Sequence, residues 1–115
     1  MKTIIAGSRN ITDPIILDVA LEKVSWPITE IVSGGARGVD ELGEGWASAT
    51  RRPYKVFLAE WDKFGKSAGY RRNVEMAKYA DALIAIWDGK SKGTKHMIDI
   101  AKEKGLVVYV ENIGE

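Results

Sequence analysis

Val32-Ser33-Gly34-Gly35-Ala36-Arg37-Gly38-Val39-Asp40 decides the fold. A short apolar run ends at Val32, and Val39, Leu42, Trp46 and Ala49 then follow at the spacing of one helix face. The stretch is therefore a strand that turns abruptly into a helix. Gly34, Gly35 and Gly38 leave the backbone free to take left-handed conformations and to approach a ligand closely. The first N–H groups of a helix lack intrahelical partners and carry the positive end of its dipole, so the turn suits a phosphate, and Arg37 adds a cationic fork. A glycine-rich turn also serves tight strand-to-helix packing alone, and the choice between the two rests on the rest of the chain.

On the N-terminal side, Thr3 to Ala6 reads as a buried parallel strand closed by Gly7-Ser8-Arg9. Asp13-Pro14 supplies an N-cap and a first-turn proline for a helix with its stripe at Ile16, Leu17, Ala20, Leu21 and Val24, ended by Trp26-Pro27. Glu30 to Val32 is the second strand. The helix opened by the glycine loop runs from about Gly38 to Arg51, with Gly43 and Gly45 expected to allow close packing on a sheet. Lys55 to Ala59 is the third strand, and Glu60 to Ala68 is a polar loop. A helix from Gly69 places Tyr70, Val74, Ala77 and Ala80 on one face. Ala82 to Trp87, the most hydrophobic run, is expected at the sheet centre. Thr94 is expected to cap a helix that buries Met97, Ile98 and Ala101, with Gly105 at its end and Leu106 to Val110 as strand five. Strands alternating with helices over short connections give a single α/β domain over residues 1–115, a parallel sheet with helices on both faces.

Composition narrows the function. The 115 residues are 45% hydrophobic and 29% charged, with a net charge of +1, so bulk attraction to DNA or an anionic membrane is not expected. There is no cysteine, hence no disulfide framework and no thiolate nucleophile. No signal peptide or membrane span is expected, and the location expected is cytoplasmic. His96 is a lone histidine without metal-ligand spacing, so neither a metal site nor a cofactor is expected, and an exposed position at a helix start accounts for it.

In a parallel sheet, ligands sit beyond the carboxyl ends of the strands. The loops that fall there carry Gly7, Ser8 and Arg9, then Ser33 to Asp40, then Lys63, Lys66, Arg71 and Arg72, then Asp88 to Lys95. Cations and small hydroxyl residues gathered on one edge describe an anionic-ligand site, although loops at any sheet edge are polar. A Walker loop needs lysine and serine or threonine after its last glycine, whereas Val39-Asp40 follows Gly38. The dinucleotide fingerprint is matched in part, by Gly35 and Gly38 with Ser33 in the first glycine position and Glu60 roughly 20 residues on, but on the second strand instead of the first.

Gly7-Ser8-Arg9, Ser33 to Asp40, Gly69-Tyr70-Arg71-Arg72-Asn73-Val74-Glu75-Met76, and the strand ending at Trp87 with Gly93-Thr94 resemble, in order and over almost the whole chain, the SLOG superfamily, and more narrowly its small YspA/YpsA-related branch. The superfamily includes the Lonely guy phosphoribohydrolases and the DNA-processing protein A of natural transformation. The resemblance implies a Rossmann-like three-layer sandwich of strand order 3-2-1-4-5 that binds nucleotides or nucleotide-derived molecules, and a homo-oligomer. The Lonely guy enzymes cleave the N-glycosidic bond of a nucleoside monophosphate with an arginine and a glutamate. Their arginine falls on Arg72 and their glycine-threonine pair on Gly93-Thr94, but their glutamate falls on Met97, and Trp87-Asp88-Gly89 replaces their proline-glycine-glycine.

The expected ligand residues are Gly7, Ser8, Arg9, Ser33, Gly34, Gly35, Ala36, Arg37, Gly38, Asp40, Arg72, Trp87, Gly93 and Thr94, with the phosphate on the helix starts at Gly35 to Gly38 and Gly93-Thr94. Trp87, Tyr70 and Trp61 offer rings for stacking on a base, while Trp26 and Trp46 read as core. Arg72 and Asp40 are the candidate catalytic pair for an N-glycosidase, the alternative to a binding or sensing module. A glycosidic bond breaks through an oxocarbenium-like state that a carboxylate stabilises, and with Met97 in the glutamate position binding without turnover is the leading expectation. A nucleic-acid-binding protein is the third class, disfavoured by the near-zero charge and the lack of a basic helix.

Overall fold

The computed structural model describes residues 1–114. Five parallel strands, β1 (Lys2–Gly7), β2 (Glu30–Ser33), β3 (Tyr54–Val56), β4 (Ala82–Trp87) and β5 (Val107–Asn112), lie in the order β3-β2-β1-β4-β5. The helices are α1 (Pro14–Lys23), α2 (Val39–Ala49), a single turn α3 (Trp61–Phe64) continued by a 3₁₀ turn over Gly65–Ser67, α4 (Ala68–Tyr79) and α5 (Lys92–Glu103). This is the Rossmann-like α/β sandwich. Among the described residues no helix is long and apolar enough to cross a membrane.

Alternation along the strands sorts the core into two layers. Ile4, Ala6, Val32, Leu83 and Ala85 face Met76, Ala77 and Ala80 of the α4 segment and Met97, Ile98 and Ala101 of α5. Ile5, Ile31, Ile84 and Ile86 face Leu17 and Ala20 of α1 and Val39 and Ala47 of α2. The middle strand is β1, with β4 beside it, a correction to the sequence reading: both are covered on both faces, so hydrophobicity alone does not separate them. Helix α1 begins as read, with Asp13 Oδ1 accepting from the Ile15 N–H at 3.0 Å ahead of Pro14.

Other boundaries differ for physical reasons. Strand β3 stops at Val56 because its partner β2 ends at Ser33, whose carbonyl accepts a last bond from the Phe57 N–H at 2.8 Å. The loop read over Glu60 to Ala68 contains the two helical turns. The buried face of α4 is Asn73, Met76 and Ala77, while Tyr70 is 46% exposed. Gly43 does allow close packing, since a Cβ there would lie 3.0 Å from the Ile5 Cβ, but Gly45 has nothing within 4 Å and serves no packing role.

Candidate functional site

The carboxyl ends of β1, β2 and β4 open onto a cavity of about 350 Å³, at the small end of ligand pockets. Its walls come from four segments. Gly7 ends β1 and Ser8, Arg9 and Asn10 follow it; Ala36 lies in the β2–α2 turn and Asp40 in the first turn of α2; Arg72, Asn73 and Met76 lie on α4; and Asp88, Ser91, Gly93, Thr94 and Met97 follow β4. Of the expected ligand residues, eight meet here: Gly7, Ser8, Arg9, Ala36, Asp40, Arg72, Gly93 and Thr94.

The remaining six do other work. Ser33 is buried; its hydroxyl donates to Glu44 Oε2 at 2.6 Å and accepts from the Gly35 N–H at 3.1 Å. Gly34 lets Arg72 and Asp40 close over the turn: a Cβ there would sit 2.9 Å from Asp40 Oδ2 and 3.0 Å from Arg72 Cζ. Gly38 has φ +76° and is pressed under the β1–α1 loop, with a Cβ contacting the Ser8 carbonyl oxygen and lying 2.6 Å from the Arg9 carbonyl. Gly35 and Arg37 face a second cavity instead. Trp87 is tied to the chain, its indole N–H donating to the Ser91 carbonyl at 3.1 Å, and does not line the cavity.

The turn that opens α2 already holds an anion. Asp40, 5% exposed, folds back so that Oδ2 accepts from the Ala36 N–H at 3.3 Å. Burial pushes its carboxyl up to about 6, against the opposing pull of the Ala36 N–H, the Arg72 guanidinium and the Gly34 N–H. The N–H of Val39, first in the helix, donates to the Ser8 carbonyl at 3.3 Å. The N–H groups read as a phosphate seat at Gly35 and Ala36 are thus occupied by the oxygens of Ser33 and Asp40.

Across the cavity, Ser91 rather than Thr94 caps α5. Its hydroxyl accepts from the Thr94 N–H at 3.4 Å and lies 3.1 Å from the Thr94 hydroxyl. The helix starts three residues early because the Asp88 carboxylate accepts from the N–H groups of Lys90 and Ser91, each at 2.8 Å, and bends the loop back. Those two bonds hold the Asp88 carboxyl below its usual range.

Arg72 stands between the two turns. One guanidinium nitrogen, Nη1, donates to the Gly34 carbonyl at 2.7 Å, while Nε is buried without a partner. Burial lowers its pKa and Asp40 opposes that; a guanidinium is charged throughout the ordinary pH range. The Ser8 hydroxyl is also buried and has no partner at full hydrogen-bonding distance and angle, while standing close enough to the Asp88 carboxylate to help lower its pKa as a donor. These are the two buried side-chain polar atoms without partners among the described residues, and both belong to walls of this cavity.

The N-terminal half of the chain, with the loops after β1 and β2, matches a known family. The family described as YAcAr, the YspA, cpYpsA-related SLOG family, matches residues 1–64. The chain belongs to this SLOG family. The Gene 61 protein of Mycobacterium phage D29 is 37% identical over 91 residues, covering 74% of this chain and 71% of the phage protein. No solved structure matches. The SLOG turn after β2 lies inside the matched segment; Arg72, Asn73 and the β4–α5 loop lie beyond it.

Sequence reasoning placed Asn73 in a motif without giving it a role. It is 4% exposed, and its amide Nδ2 donates to the Gly93 carbonyl at 3.3 Å and lies 3.1 Å from His96 Nδ1, joining α4 to α5 behind the cavity. A buried asparagine within an otherwise apolar helix face was the available signal. His96 is half-buried, its ring 4.5 Å from that of Tyr70. Asn10, Asp88 and Ser91 were also missed as wall residues, because nothing in their spacing separates them from ordinary loop polarity. Met97, where the Lonely guy enzymes carry glutamate, does line the cavity, so no carboxylate stands at that point of the wall.

Proposed function

We propose that this domain binds a nucleotide or nucleotide-derived small molecule in the cavity between the β1–α1 loop, α4 and the start of α5. The observation that carries the reading is the meeting of Arg9, Arg72, Ser8 and Thr94 on its walls, where Arg72 and Ser8 each also hold a buried polar atom without a partner, Nε and Oγ. Leaving a buried polar group unpaired costs on the order of 1–3 kcal/mol, which an oxygen-rich ligand recovers where the Arg72 and Ser8 side chains turn toward it on binding. The phosphate belongs beside Arg72 and Arg9, since the N–H groups of the first glycine turn are already used. Thr94, Asn73, Asn10 and Asp88 supply the donors and acceptors that a ribose and base require. SLOG membership supports a nucleotide-related ligand.

One observation favours hydrolysis of a nucleoside 5′-monophosphate as the second reading. A buried carboxyl with a pKa of about 6 next to an arginine is poised for proton transfer near neutral pH. Met97 in place of the glutamate weighs against it.

A thermal-shift panel of nucleoside mono- and diphosphates, with each hit incubated overnight and examined by mass spectrometry, separates the readings. A ligand at a hundred times its Kd stabilises by about 2.7 kcal/mol, several degrees for a domain of this size. A shift that Arg72→Gln abolishes, with the ligand recovered intact, is the expected result. Free base in the mixture establishes the hydrolase. Absence of any shift overturns the binding reading.

A further inference from the structure

A second cavity, about 330 Å³, adjoins the first and shares Arg9, Ala36 and Arg72 with it. Its charge is different. The first cavity sets Arg9 and Arg72 against Asp40 and Asp88, whereas the second is lined by Arg9, Arg37 and Arg72 with no acidic residue. A larger hollow, about 500 Å³, on the α4 side of Arg72 is balanced again, Arg71 and Arg72 against Glu60 and Glu75. Among the described residues none of the three arginines of the second cavity forms an ion pair; the ion pairs present are Lys23–Glu111 and Lys95–Asp99. Asp40 lies behind Arg72 and offsets one charge, and the three arginines lining this cavity still outnumber it and concentrate anions from solution. Guanidinium forks match phosphate oxygens in pairs.

The outer wall of this cavity is apolar. Leu58 is 72% exposed and Trp61 51% exposed. Gly35, at φ +72°, brings the turn so close to Leu58 that a Cβ there would lie 2.8 Å from its Cδ2, so the wall is fixed to the loop. Single exposed apolar residues are ordinary, but an indole and an isobutyl group closing one side of an all-cationic recess present a flat surface for a ring.

We infer that the ligand is a nucleoside diphosphate carrying a further planar group: the nucleoside in the first cavity, the pyrophosphate across Arg9, Arg37 and Arg72, and the planar group against Trp61 and Leu58. This rests on the nucleotide-binding reading of the first cavity, which supplies the nucleoside end. A monophosphate reaches only the shared edge at Arg9 and Arg72, whereas a second phosphate reaches Arg37, which lines the second cavity alone.

Calorimetric titration of inorganic pyrophosphate, the four ribonucleoside mono- and diphosphates, and the dinucleoside diphosphate of the preferred base tests the inference. The variants are Arg37→Ala and Trp61→Ala, both exposed and outside the first cavity. The diphosphate is expected to bind at least tenfold tighter than its monophosphate, and Arg37→Ala to remove that advantage while leaving the monophosphate unchanged. Pyrophosphate alone binds, and loses about tenfold in Arg37→Ala. The dinucleoside diphosphate binds tighter still, and Trp61→Ala returns it to the level of the simple diphosphate. Equal affinity for mono- and diphosphate, or an Arg37→Ala effect equal on both, overturns the inference while leaving the nucleotide reading intact. Binding of pyrophosphate with no nucleoside phosphate bound overturns the nucleotide reading and the nucleoside end of the inference together.

Discussion

The turn from Ser33 to Gly38 and the loop from Asp88 to Gly93 do the same job in the chain, each carrying a strand into a helix on the same sheet edge, yet their glycines end in different surroundings. In the first, Ser33 and Asp40 occupy the free N–H groups, and Gly38 is locked beneath the Ser8 and Arg9 carbonyls. In the second, Asp88 and Ser91, themselves on the cavity wall, accept from the N–H groups of the turn, and a Cβ at Gly89 or Gly93 would meet nothing within 4 Å. Both turns satisfy N–H groups with their own side chains, but the glycine of the first is packed under backbone while the glycines of the second have free space around them. What separates them is the position of the acid: Asp40 lies after the glycines, in the first turn of its helix, and folds back over them, whereas Asp88 precedes its glycines and draws the following N–H groups of Lys90 and Ser91 onto itself.

The largest expected effect breaks the packed turn. Gly38→Ala introduces both a left-handed conformation for a side chain and a clash with the backbone of the β1–α1 loop, together about 2–5 kcal/mol by urea denaturation. Gly89→Ala, at φ +82° in open space, costs only about 1–2 kcal/mol. Equal losses at the two positions contradict the contrast.

Next comes the buried acid. The folded pKa of Asp40, about 6, lies above the ordinary carboxylate value, so the folded state holds a proton that the unfolded state releases. Its contribution is favourable to folding at low pH and is lost as pH rises between about 4 and 6. Asp40→Asn therefore stabilises the domain by about 2–3 kcal/mol at pH 8 and leaves it nearly unchanged at pH 4, read from urea midpoints. Asp88 has the opposite sign. Its pKa is depressed by the Ser91 and Lys90 N–H groups, so its contribution is present at neutral pH and is lost as pH falls below the ordinary aspartate range. Asp88→Asn accordingly lowers stability at pH 7 and converges on the parent protein in acid. A pH-independent difference for both variants removes the electrostatic part of the comparison.

A smaller effect sharpens the second turn. Ser91→Ala removes the α5 cap and costs about 1 kcal/mol. Gly93→Ala, inside the first turn with free space around it, stabilises by roughly 0.5–1 kcal/mol through helix propensity alone. A destabilising Gly93→Ala shows that the glycine of this turn too is packed by contacts.

Much of the architecture was legible because the strands are short apolar runs punctuated by glycine, proline and aspartate. Asp13-Pro14 marked the start of α1, and the stripe Met97, Ile98 and Ala101 marked the buried face of α5. The edge strands were the least legible: β3 is three residues long and exposed, so its length depends on where β2 stops, a tertiary fact. In the site, Arg72 and the loop after β1 were readable from residue type and position. The filling of the first turn was not, because an acid at the second helical position reads as favourable to the dipole whether it faces solvent or folds inward. Asn73 was obscured for a related reason: its two contacts, with Gly93 and His96, cross between helices and leave no periodic trace.

The most direct test of the account is the Arg72 Nε–H resonance, followed by nuclear magnetic resonance as nucleoside monophosphates and the matching free nucleosides are titrated in. A buried donor that gains a phosphate acceptor shifts downfield and saturates with the ligand, and the free nucleoside, lacking the acceptor, leaves it in place; that is the predicted result. A nucleotide that binds without moving the Arg72 resonance, or a resonance indifferent to every nucleoside phosphate in the panel, contradicts the claim that this cavity is completed by an anionic ligand.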